Sequence, residues 1–319
     1  MLAARYVCYS SLINFVYKCL FINEVHSENV DLNNELSNND KLLGLTDVAG
    51  EGITILIQDG TDLIHQEDVL IMLNELKNAG AQAISVNDQR ITNSTYIYCD
   101  GGVILIDGVK VGNPFTIKAI GDSETIYGAI MRTKGYISVL TNDGIQIDVQ
   151  KSENITIGKT NKNVYEEYIN TSDITKKVFL GNQLIGKYDI SGSGIEIIID
   201  TSNTKDITAI NLIQIINDLR VSNAKAISIN DHRIVNMTDL VDINKEYILV
   251  DSMSVSSPYI IKAIGNRDEI IKNINLENSS ISKLQANGKN VKVFSRNVLT
   301  IPKYTVGRGQ NKLLLDYLK

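Results

Sequence analysis

The sequence repeats a cluster of polar residues whose types suit anion binding. Residues 81–91 read "AQAISVNDQRI", and residues 224–234 read "AKAISINDHRI". Each copy places an Asn, an Asp and an Arg directly after a short apolar run. Arg carries a planar fork of N–H donors that matches a carboxylate or phosphate, and Asn donates and accepts beside it. The pattern fits either a site used twice or a turn that one fold needs twice.

Two repeated lysines extend this candidate site. Lys118 lies in "NPFTIKAIGD" and Lys262 lies at the matching place in "SPYIIKAIGN". If the strand before the Asn-Asp pair lies beside the lysine-bearing strand, Arg90 and Lys118 approach each other. We therefore predict a site for a small anionic metabolite, formed by Asn87, Arg90 and Lys118 in one copy and by Asn230, Arg233 and Lys262 in the other. In the alternative interpretation Asn and Asp make the turn that ends the strand, and Arg pairs with a carboxylate to hold the following loop.

Other residue types give weaker signals for chemistry. The three histidines, His26, His65 and His232, are not repeated and share no metal-ligand spacing. The three cysteines form no C-x-x-C pair, which gives no indication of a zinc site or a disulfide framework. Asp107 and Asp251 match after a strand, where Asp is an ordinary turn residue. The sequence therefore predicts no catalytic residue, no metal site and no cofactor.

The two G-x-G sequences do not have the context of a phosphate loop. Gly50-x-Gly52 and Gly192-x-Gly194 come before a strand, whereas a phosphate-binding loop follows a strand and opens a helix. We predict that these glycines turn the backbone before the first strand of each copy.

These features belong to a duplication of about 140 residues. "GLTDVAGEGITILIQD" from residue 44 returns as "GKYDISGSGIEIIID" from residue 186, and the other repeated sequences keep nearly the same shift. The period is far longer than the roughly 20–50 residues of a solenoid repeat, which indicates a duplicated domain.

Each copy shows the same succession of predicted elements. A short helix precedes a strand, and the next helix places apolar residues at helical spacing, as in Val69, Met72, Leu73 and Leu76. The second strand is "AISV" or "AISI", and the third is "VILIDG" or "YILVDS", after which an extended piece runs to "IKAIG". A helix that opens at Asp122 or Asn266, both good N-cap residues, and a closing strand complete the unit.

The order predicts an α+β fold with two tandem ferredoxin-like (split βαβ, α-β plait) domains, each preceded by a short helix. The two copies can pack side by side or through their open sheet faces. The predicted division is an apolar N-terminal segment (1–22), a short helix (23–43), a first plait domain (44–158), a helical linker (159–185), a second plait domain (186–305) and a C-terminal tail (306–319).

The N-terminal apolar segment has two interpretations. Residues 6–22 are mostly apolar, but the stretch is short for a membrane span and contains Asn14 and Lys18. It is either a degenerate membrane anchor or an interfacial N-terminus. A net charge of −6 argues against a nucleic-acid partner, because phosphate contacts need a basic surface.

Together, "KLLGLTDVAGEGITILIQD", "IHQEDVLIMLNELKNAGAQAISVNDQRI" and "VILIDGVKVGNPFTIKAIGD" resemble the bacterial domain-of-unknown-function 881 family, some members of which are named division initiation protein. The resemblance covers the first copy nearly completely and the second more loosely. It implies an N-terminal membrane segment, a short coiled helix and an extracytoplasmic α/β plait domain, with no established activity. This chain departs from the usual layout by holding two copies and a poorer anchor.

The resemblance leads to two functional expectations. The first is a non-catalytic envelope protein at the cell membrane, with extracytoplasmic domains that bind protein partners linked to cell division or cell-wall machinery. If residues 6–22 are not an anchor, the expected location is the cytoplasm. The second is a ligand-sensing module that binds an anionic metabolite at the repeated Asn-Asp-x-Arg positions. The sequence leaves the oligomeric state unknown.

Overall fold

The computed structural model describes residues 29–162, 165–201, 207–243, 247–307, 311–313, 316 and 318. The predicted apolar segment 1–22 lies outside the described residues. None of the helices that the described residues form is both long and apolar enough to cross a membrane.

Both halves of the chain contain the same elements in the same order. In the first half a helix covers residues 29–42 (α1). It is followed by β1 (Val48–Gln58), α2 (Gln66–Asn78), β2 (Ala83–Val86), β3 (Gln89–Arg90), β4 (Ile97–Asp100), β5 (Val103–Ile106), β6 (Val109–Val111), β7 (Phe115–Ile120), α3 (Ser123–Ile130), α4 (Tyr136–Asn142) and β8 (Gln146–Ile157).

The second half repeats this series after a short additional helix. Its elements are α5 (Glu166–Asn170), α6 (Ile174–Ile185), β9 (Ile190–Asp200), α7 (Ala209–Val221), β10 (Ala226–Ile229), β11 (His232–Arg233), β12 (Leu240–Ile243), β13 (Tyr247–Val250), β14 (Met253–Val255), β15 (Tyr259–Ile264), α8 (Arg267–Ile274), α9 (Ser280–Ala286) and β16 (Asn290–Ile301).

Each half builds one large antiparallel sheet and one small one. The large sheets have the orders β3-β2-β7-β1-β8 and β11-β10-β15-β9-β16, and the small sheets β4-β5-β6 and β12-β13-β14. The fold is therefore a mixed α+β structure with antiparallel sheets and two repeated halves. The apolar side chains of β1 at Ile53, Ile55 and Ile57 pack with the buried faces of α2, α3 and α4, which places the first core on one side of its sheet.

The sequence predicted α2 and the start of α3 correctly, and it predicted two other features wrongly. The predicted apolar face of α2 is buried, and Asp122 caps α3 by accepting a hydrogen bond from the Thr125 backbone N–H. The prediction of one helix after "IKAIG" was wrong, because a break around Gly135 separates α3 from α4. The prediction that "VILIDG" continues the main sheet after strand two was also wrong. That stretch forms β5 of the small sheet, and β7 pairs with both β1 and β2.

The glycines of the two G-x-G sequences do not form a turn before the strand, so that prediction was also wrong. Gly50 and Gly52 lie inside β1, where the pairing with β8 is interrupted by a bulge. A Cβ atom on Gly52 would lie 1.9 Å from the Ala119 carbonyl oxygen, and one on Gly194 would lie 1.9 Å from that of Ala263. These glycines are required by the close approach of the neighbouring strand.

The two halves pack through their helices and small sheets. Met237 of the second half is buried inside the first core, and Ile213 of α7 contacts both cores. The helices that precede the two large sheets also meet, because Asn39 of α1 donates to the Val178 carbonyl and to Asn182 Oδ1 of α6. Gly181 of α6 is equivalent to Asn39 at the shift that relates Gly44 to Gly186, and a Cβ atom on Gly181 would lie 2.6 Å from Asn39 Nδ2. Equivalent positions of the two halves therefore meet here, as they do near an approximate two-fold axis.

Candidate functional site

The repeated Asn-Asp pair forms the tight turn between β2 and β3. Asn87 and Asp88 have φ angles of 44° and 60°, and the matching Asn230 and Asp231 have 46° and 64°. Two successive residues with positive φ are characteristic of a type I′ hairpin turn, in which Asn and Asp are favoured. The pair therefore reverses the chain at the same point in both halves.

The Asn side chain also fixes the segment that leads into β7. Asn87 Nδ2 donates to the carbonyls of Gly112 and Pro114, and its Oδ1 accepts from the Thr116 N–H at 2.7 Å. Asn230 makes the same three bonds in the second half. All the hydrogen bonds that the structure shows for the Asn87 side chain hold the turn to the backbone segment that leads into β7.

The repeated lysines pair with the carboxylates of the turn. Lys118 Nζ lies 2.7 Å from Asp88 Oδ1, and Lys262 Nζ lies 2.6 Å from Asp231 Oδ1. The Asp side chains are largely exposed, so these ion pairs contribute little to stability.

The repeated arginines are buried beneath the helices that precede the sheets. Arg90 is 3% exposed, and its Nη2 donates to the Lys41 carbonyl in the last turn of α1. Arg233 is 1% exposed and donates to the Gln183 carbonyl in the last turn of α6 at 3.0 Å. Cations at a helix C-terminus interact favourably with its free carbonyls. Burial lowers the pKa of both guanidinium groups to about 10, so both stay charged at neutral pH.

Each arginine keeps donors without a partner. Nε and Nη1 of Arg90 and of Arg233 are buried and make no hydrogen bond to the described residues. The hydroxyls of Ser85 and Ser228 are also buried and make no hydrogen bond to the described residues. Ser85 lies between Arg90 and Lys118 in the sheet register, so the three share one face. The structure thus separates the six predicted residues into two groups. The two arginines are buried, whereas the two Asn and the two Lys side chains are partly exposed.

A second cluster, which the sequence analysis missed, lies between the two halves. Asn217 of α7 accepts from the Ile97 N–H at 2.8 Å and donates to the Ile97 carbonyl at 2.7 Å. Asn74 of α2 makes the equivalent pair with Leu240 of the other half. Each half therefore clamps the first strand of the other's small sheet through one amide side chain. We call these two contacts the Asn clamps.

Next to the Asn clamps the two halves enclose a cavity of about 40 Å³, which we call the inter-copy cavity. Its polar lining includes Lys77 and Arg220, which occupy equivalent places near the ends of α2 and α7, together with Thr95 and Thr238. Burial, together with the charges of Arg220 and Lys312, lowers the pKa of Lys77 to about 7. Burial also lowers the pKa of Arg220 to about 10.

Carboxylates and two further lysines surround this cavity. Asp107 accepts from Thr95 Oγ1 and pairs with Lys162 at 2.7 Å. In the other half Asp251 accepts from Thr238 Oγ1, and Lys312 pairs with Asp239 at 3.1 Å. Burial and the neighbouring charge of Asp239 together raise the pKa of Asp251 to about 7.

A repeat signal for this cluster was present in the sequence. Asn74 and Asn217 are identical at the shift of 143 that relates the two arginines, and Lys77 and Arg220 are both cationic at that shift. The helical pattern drew attention to apolar positions alone. No group of three or more His, Cys, Asp or Glu in the described part of the chain is placed to hold a metal ion.

Comparisons with known proteins agree with the repeat. A family model described as "Bacterial protein of unknown function (DUF881)" matches residues 35–170 and again residues 181–313. The UPF0749 protein YlxW of Bacillus subtilis is 32% identical over 35% of this chain and 53% of its own length. YlxX of the same organism is 29% identical over 38% of this chain and 56% of its own length.

A similar relative and a solved structure come from Mycobacterium tuberculosis. The UPF0749 protein Rv1825 is 28% identical over 36% of this chain and 41% of its own length. The chain thus spans about half the length of the relatives it matches. A crystal structure titled as an uncharacterized conserved protein is 25% identical, with a TM-score of 0.37, over 41% of this chain and 92% of that chain. None of these names indicates an enzymatic activity.

Proposed function

Because the chain belongs to the bacterial family of unknown function DUF881 through both of its halves, we propose that it is a non-catalytic interaction module of the cell envelope. In this proposal it binds protein partners through the free edges of its two large sheets. The observation that carries the proposal is the presence of a long edge strand on each of the two large sheets.

The strands β8 and β16 provide these edges. Each is the outer strand of a large sheet and each runs for 12 residues, whereas strands of roughly five or six residues are usual. An edge strand presents a row of unpaired N–H and C=O groups that can accept a strand from another protein.

The register shows which groups point outward. Gly121 N–H donates to the Glu51 carbonyl, so the odd-numbered residues of β1 bond toward β7 and the even-numbered ones toward β8. Thr54 is opposite Gln150 and Leu56 is opposite Asp148. The backbone groups of Lys151 and of the odd-numbered residues before it therefore face away from the sheet. By the same argument Ser295 is an outward-facing position of β16.

Charged side chains make both edges selective. Lys151 and Glu153 are exposed on β8, and Lys292 and Arg296 are exposed on β16. Charges on an edge strand disfavour non-selective pairing with other sheets. A partner must therefore supply complementary charges as well as an extended segment.

Proline substitution at the outward positions tests this proposal. Proline removes one N–H and is tolerated on a sheet edge, so Lys151→Pro and Ser295→Pro should keep the fold and lose the partner. Lys151→Thr and Ser295→Thr keep the N–H and serve as matched controls. Photo-cross-linking from position 150 in living cells should capture a partner in the native protein and the Thr variants. Equal capture in the Pro variants would refute edge pairing.

We further propose that residues 6–22 hold the protein at the membrane with its domains outside the cytoplasm, near the division or cell-wall machinery. The resemblance to family members with such a layout supports this. Cell fractionation combined with protease accessibility tests the location, and fluorescence microscopy tests enrichment at the septum. An even cytoplasmic distribution would defeat the envelope assignment.

For the fold we propose that each half is a ferredoxin-like plait, with limits at 44–158 and 186–305. The support is that β1, α2, β2, β7, α3 and β8 follow the β-α-β-β-α-β order within one antiparallel sheet. The small sheet is then an insertion between the second and third strands of the plait. An experimental structure in which β7 does not lie between β1 and β2 would refute this assignment.

A second candidate function is the sensing of an anionic metabolite at the repeated Asn-Asp-x-Arg positions. The observation in its favour is the set of buried, unpartnered donors on Arg90, Arg233, Ser85 and Ser228. A screen of phosphate and di- and tricarboxylates by thermal shift tests it, with an Arg90→Lys, Arg233→Lys double variant as the control. A shift that the double variant retains would count against this site.

A further inference from the structure

The inter-copy cavity has one buried and one half-buried cation in its wall. Lys77 is 7% exposed, and Arg220 lines the same cavity from the other half. Arg220 Nε is buried and has no hydrogen-bond partner among the described residues. Like charges enclosed at one interface repel each other unless an opposite charge lies between them.

The carboxylates around the cavity leave an excess of positive charge. Among the described side chains, three carboxylates (Asp107, Asp239 and Asp251) accompany four cationic groups (Lys77, Arg220, Lys162 and Lys312). Asp107 and Asp239 are engaged by Lys162 and Lys312 within 3.1 Å. Asp251 is then the one remaining carboxylate for Lys77 and Arg220, so this group of described side chains keeps one positive charge in excess.

The cavity also has the size and lining of a small-ion site. Its volume of about 40 Å³ holds roughly three water molecules. Besides Lys77 and Arg220, the hydroxyl groups of Thr95 and Thr238 and the amide of Asn74 belong to residues of its wall. The remaining wall is apolar, from side chains such as Leu73 and Ile216, and an apolar wall strengthens electrostatic attraction inside.

We propose that the inter-copy cavity binds a small monovalent anion, of the size of chloride, nitrate or formate, between the side chains of Lys77 and Arg220. The anion supplies the missing negative charge at the junction of the two halves and holds them together. This site is distinct from the Asn-Asp-x-Arg positions and goes beyond the proposed partner binding, which needs no anion. The lowered pKa of Lys77 supports the assignment, because a cation in this position is strained until an anion is bound.

The competing outcome is a neutral Lys77 in a cavity that holds only water. The two arrangements respond differently to salt. Anion binding to the folded state raises the unfolding temperature with anion concentration, whereas a neutral lysine beside water gives no selective response to small anions.

The experiment measures the unfolding temperature of the full chain at constant ionic strength, in sodium chloride, nitrate or formate. Sodium gluconate is the reference salt, because its anion is too large for the cavity. We expect the small anions to raise the unfolding temperature by about 2–5 °C over gluconate. Lys77→Met should abolish the difference, and Lys110→Met, at an exposed lysine of β6, should retain it. An equal response of native protein and Lys77→Met, or no difference between anions, would overturn the proposal.

Two further measurements keep the test independent of the stability of one variant. Arg220→Lys retains the charge, so it should still respond to chloride, with a weaker affinity. A crystal grown or soaked in sodium bromide should show an anomalous scattering peak between Lys77 and Arg220. A map with only water at that position would overturn the proposal even if the variants failed to fold.

Discussion

The Asn clamps allow a sharp test of how the two halves hold each other. Asn217 is 3% exposed and makes two short bonds, to the N–H and the carbonyl of Ile97. Asn217→Ala leaves both of these buried backbone groups without a partner. An unsatisfied buried group costs about 1–3 kcal/mol, so we expect the free energy of unfolding to fall by about 2–5 kcal/mol. Asn74 makes the same two bonds but is half-buried. Water can replace its amide, and Asn74→Ala should cost only about 1–2 kcal/mol.

The assay is urea unfolding followed by far-UV circular dichroism and tyrosine fluorescence, because the chain contains no Trp. Asn142→Ala, at an exposed helical position that the structure shows making no side-chain hydrogen bond, is the matched control and should change the free energy of unfolding by less than about 0.5 kcal/mol. The decisive result is that Asn217→Ala lowers the free energy of unfolding more than Asn74→Ala does. If Asn217→Ala unfolds at the same midpoint as Asn142→Ala, the two halves do not meet through these residues and the described interface is wrong.

Three further predictions follow from single groups. Gly52→Ala should reduce the free energy of unfolding by several kcal/mol, because its Cβ would meet the Ala119 carbonyl at 1.9 Å. Gly128→Ala has open space around its Cβ and no positive φ, so it should stabilise α3 by about 0.5–1 kcal/mol. Urea midpoints of the two variants that move in the same direction would contradict this. Arg233→Met should destabilise the second half by about 2–4 kcal/mol in urea unfolding, because the charge-assisted bond to the last turn of α6 and close packing are lost, and a change below about 0.5 kcal/mol would contradict that role. In gluconate buffer the free energy of unfolding should be lowest near pH 7. Asp251, with a pKa raised to about 7, stabilises the fold at acidic pH and loses this contribution as the pH rises from about 4 to 7. Lys77, with a pKa lowered to about 7, makes the free energy of unfolding rise again between pH 7 and 10.5. Urea midpoints measured across this range should lose their alkaline rise in Lys77→Met, and a rise that persists there would refute the assignment to Lys77.

Features set by neighbouring residues could be predicted from the sequence. The apolar spacing of α2 gave its buried face. Gly80 and Asn223 follow α2 and α7 and are residue types that favour the left-handed conformation there, and their φ angles are 92° and 55°. The resemblance of the quoted stretches identified the family, which the matches over both halves confirm. In each case a local rule about backbone conformation or periodicity is sufficient.

Features set by distant residues could not be predicted in the same way. Gly52 looks like a turn residue until the Ala119 carbonyl is placed beside it. "VILIDG" reads as a strand whichever sheet it joins, although Asp107 and Gly108, with φ angles of 52° and 82°, form a tight turn that marks a separate hairpin. The candidate site shows the same limit. The turn at Asn87 follows from its type, but the burial of Arg90 depends on α1, which lies about 50 residues earlier in the chain.

The duplication in one chain has a consequence that a symmetric pair of identical chains would not share. Near a two-fold axis, identical chains must present the same residue twice, so a cavity there is lined by matched groups. Here the equivalent positions hold Lys77 and Arg220, whose pKa values fall to about 7 and about 10. Lys162 and Lys312 come from non-equivalent positions but pair with carboxylates on the two sides. Fusion of the copies therefore allows one member of this cation pair to titrate near neutral pH while the other stays charged. If the proposed anion binds there, its binding is coupled to proton uptake by Lys77 and by the neighbouring Asp251, whose pKa values both lie at about 7.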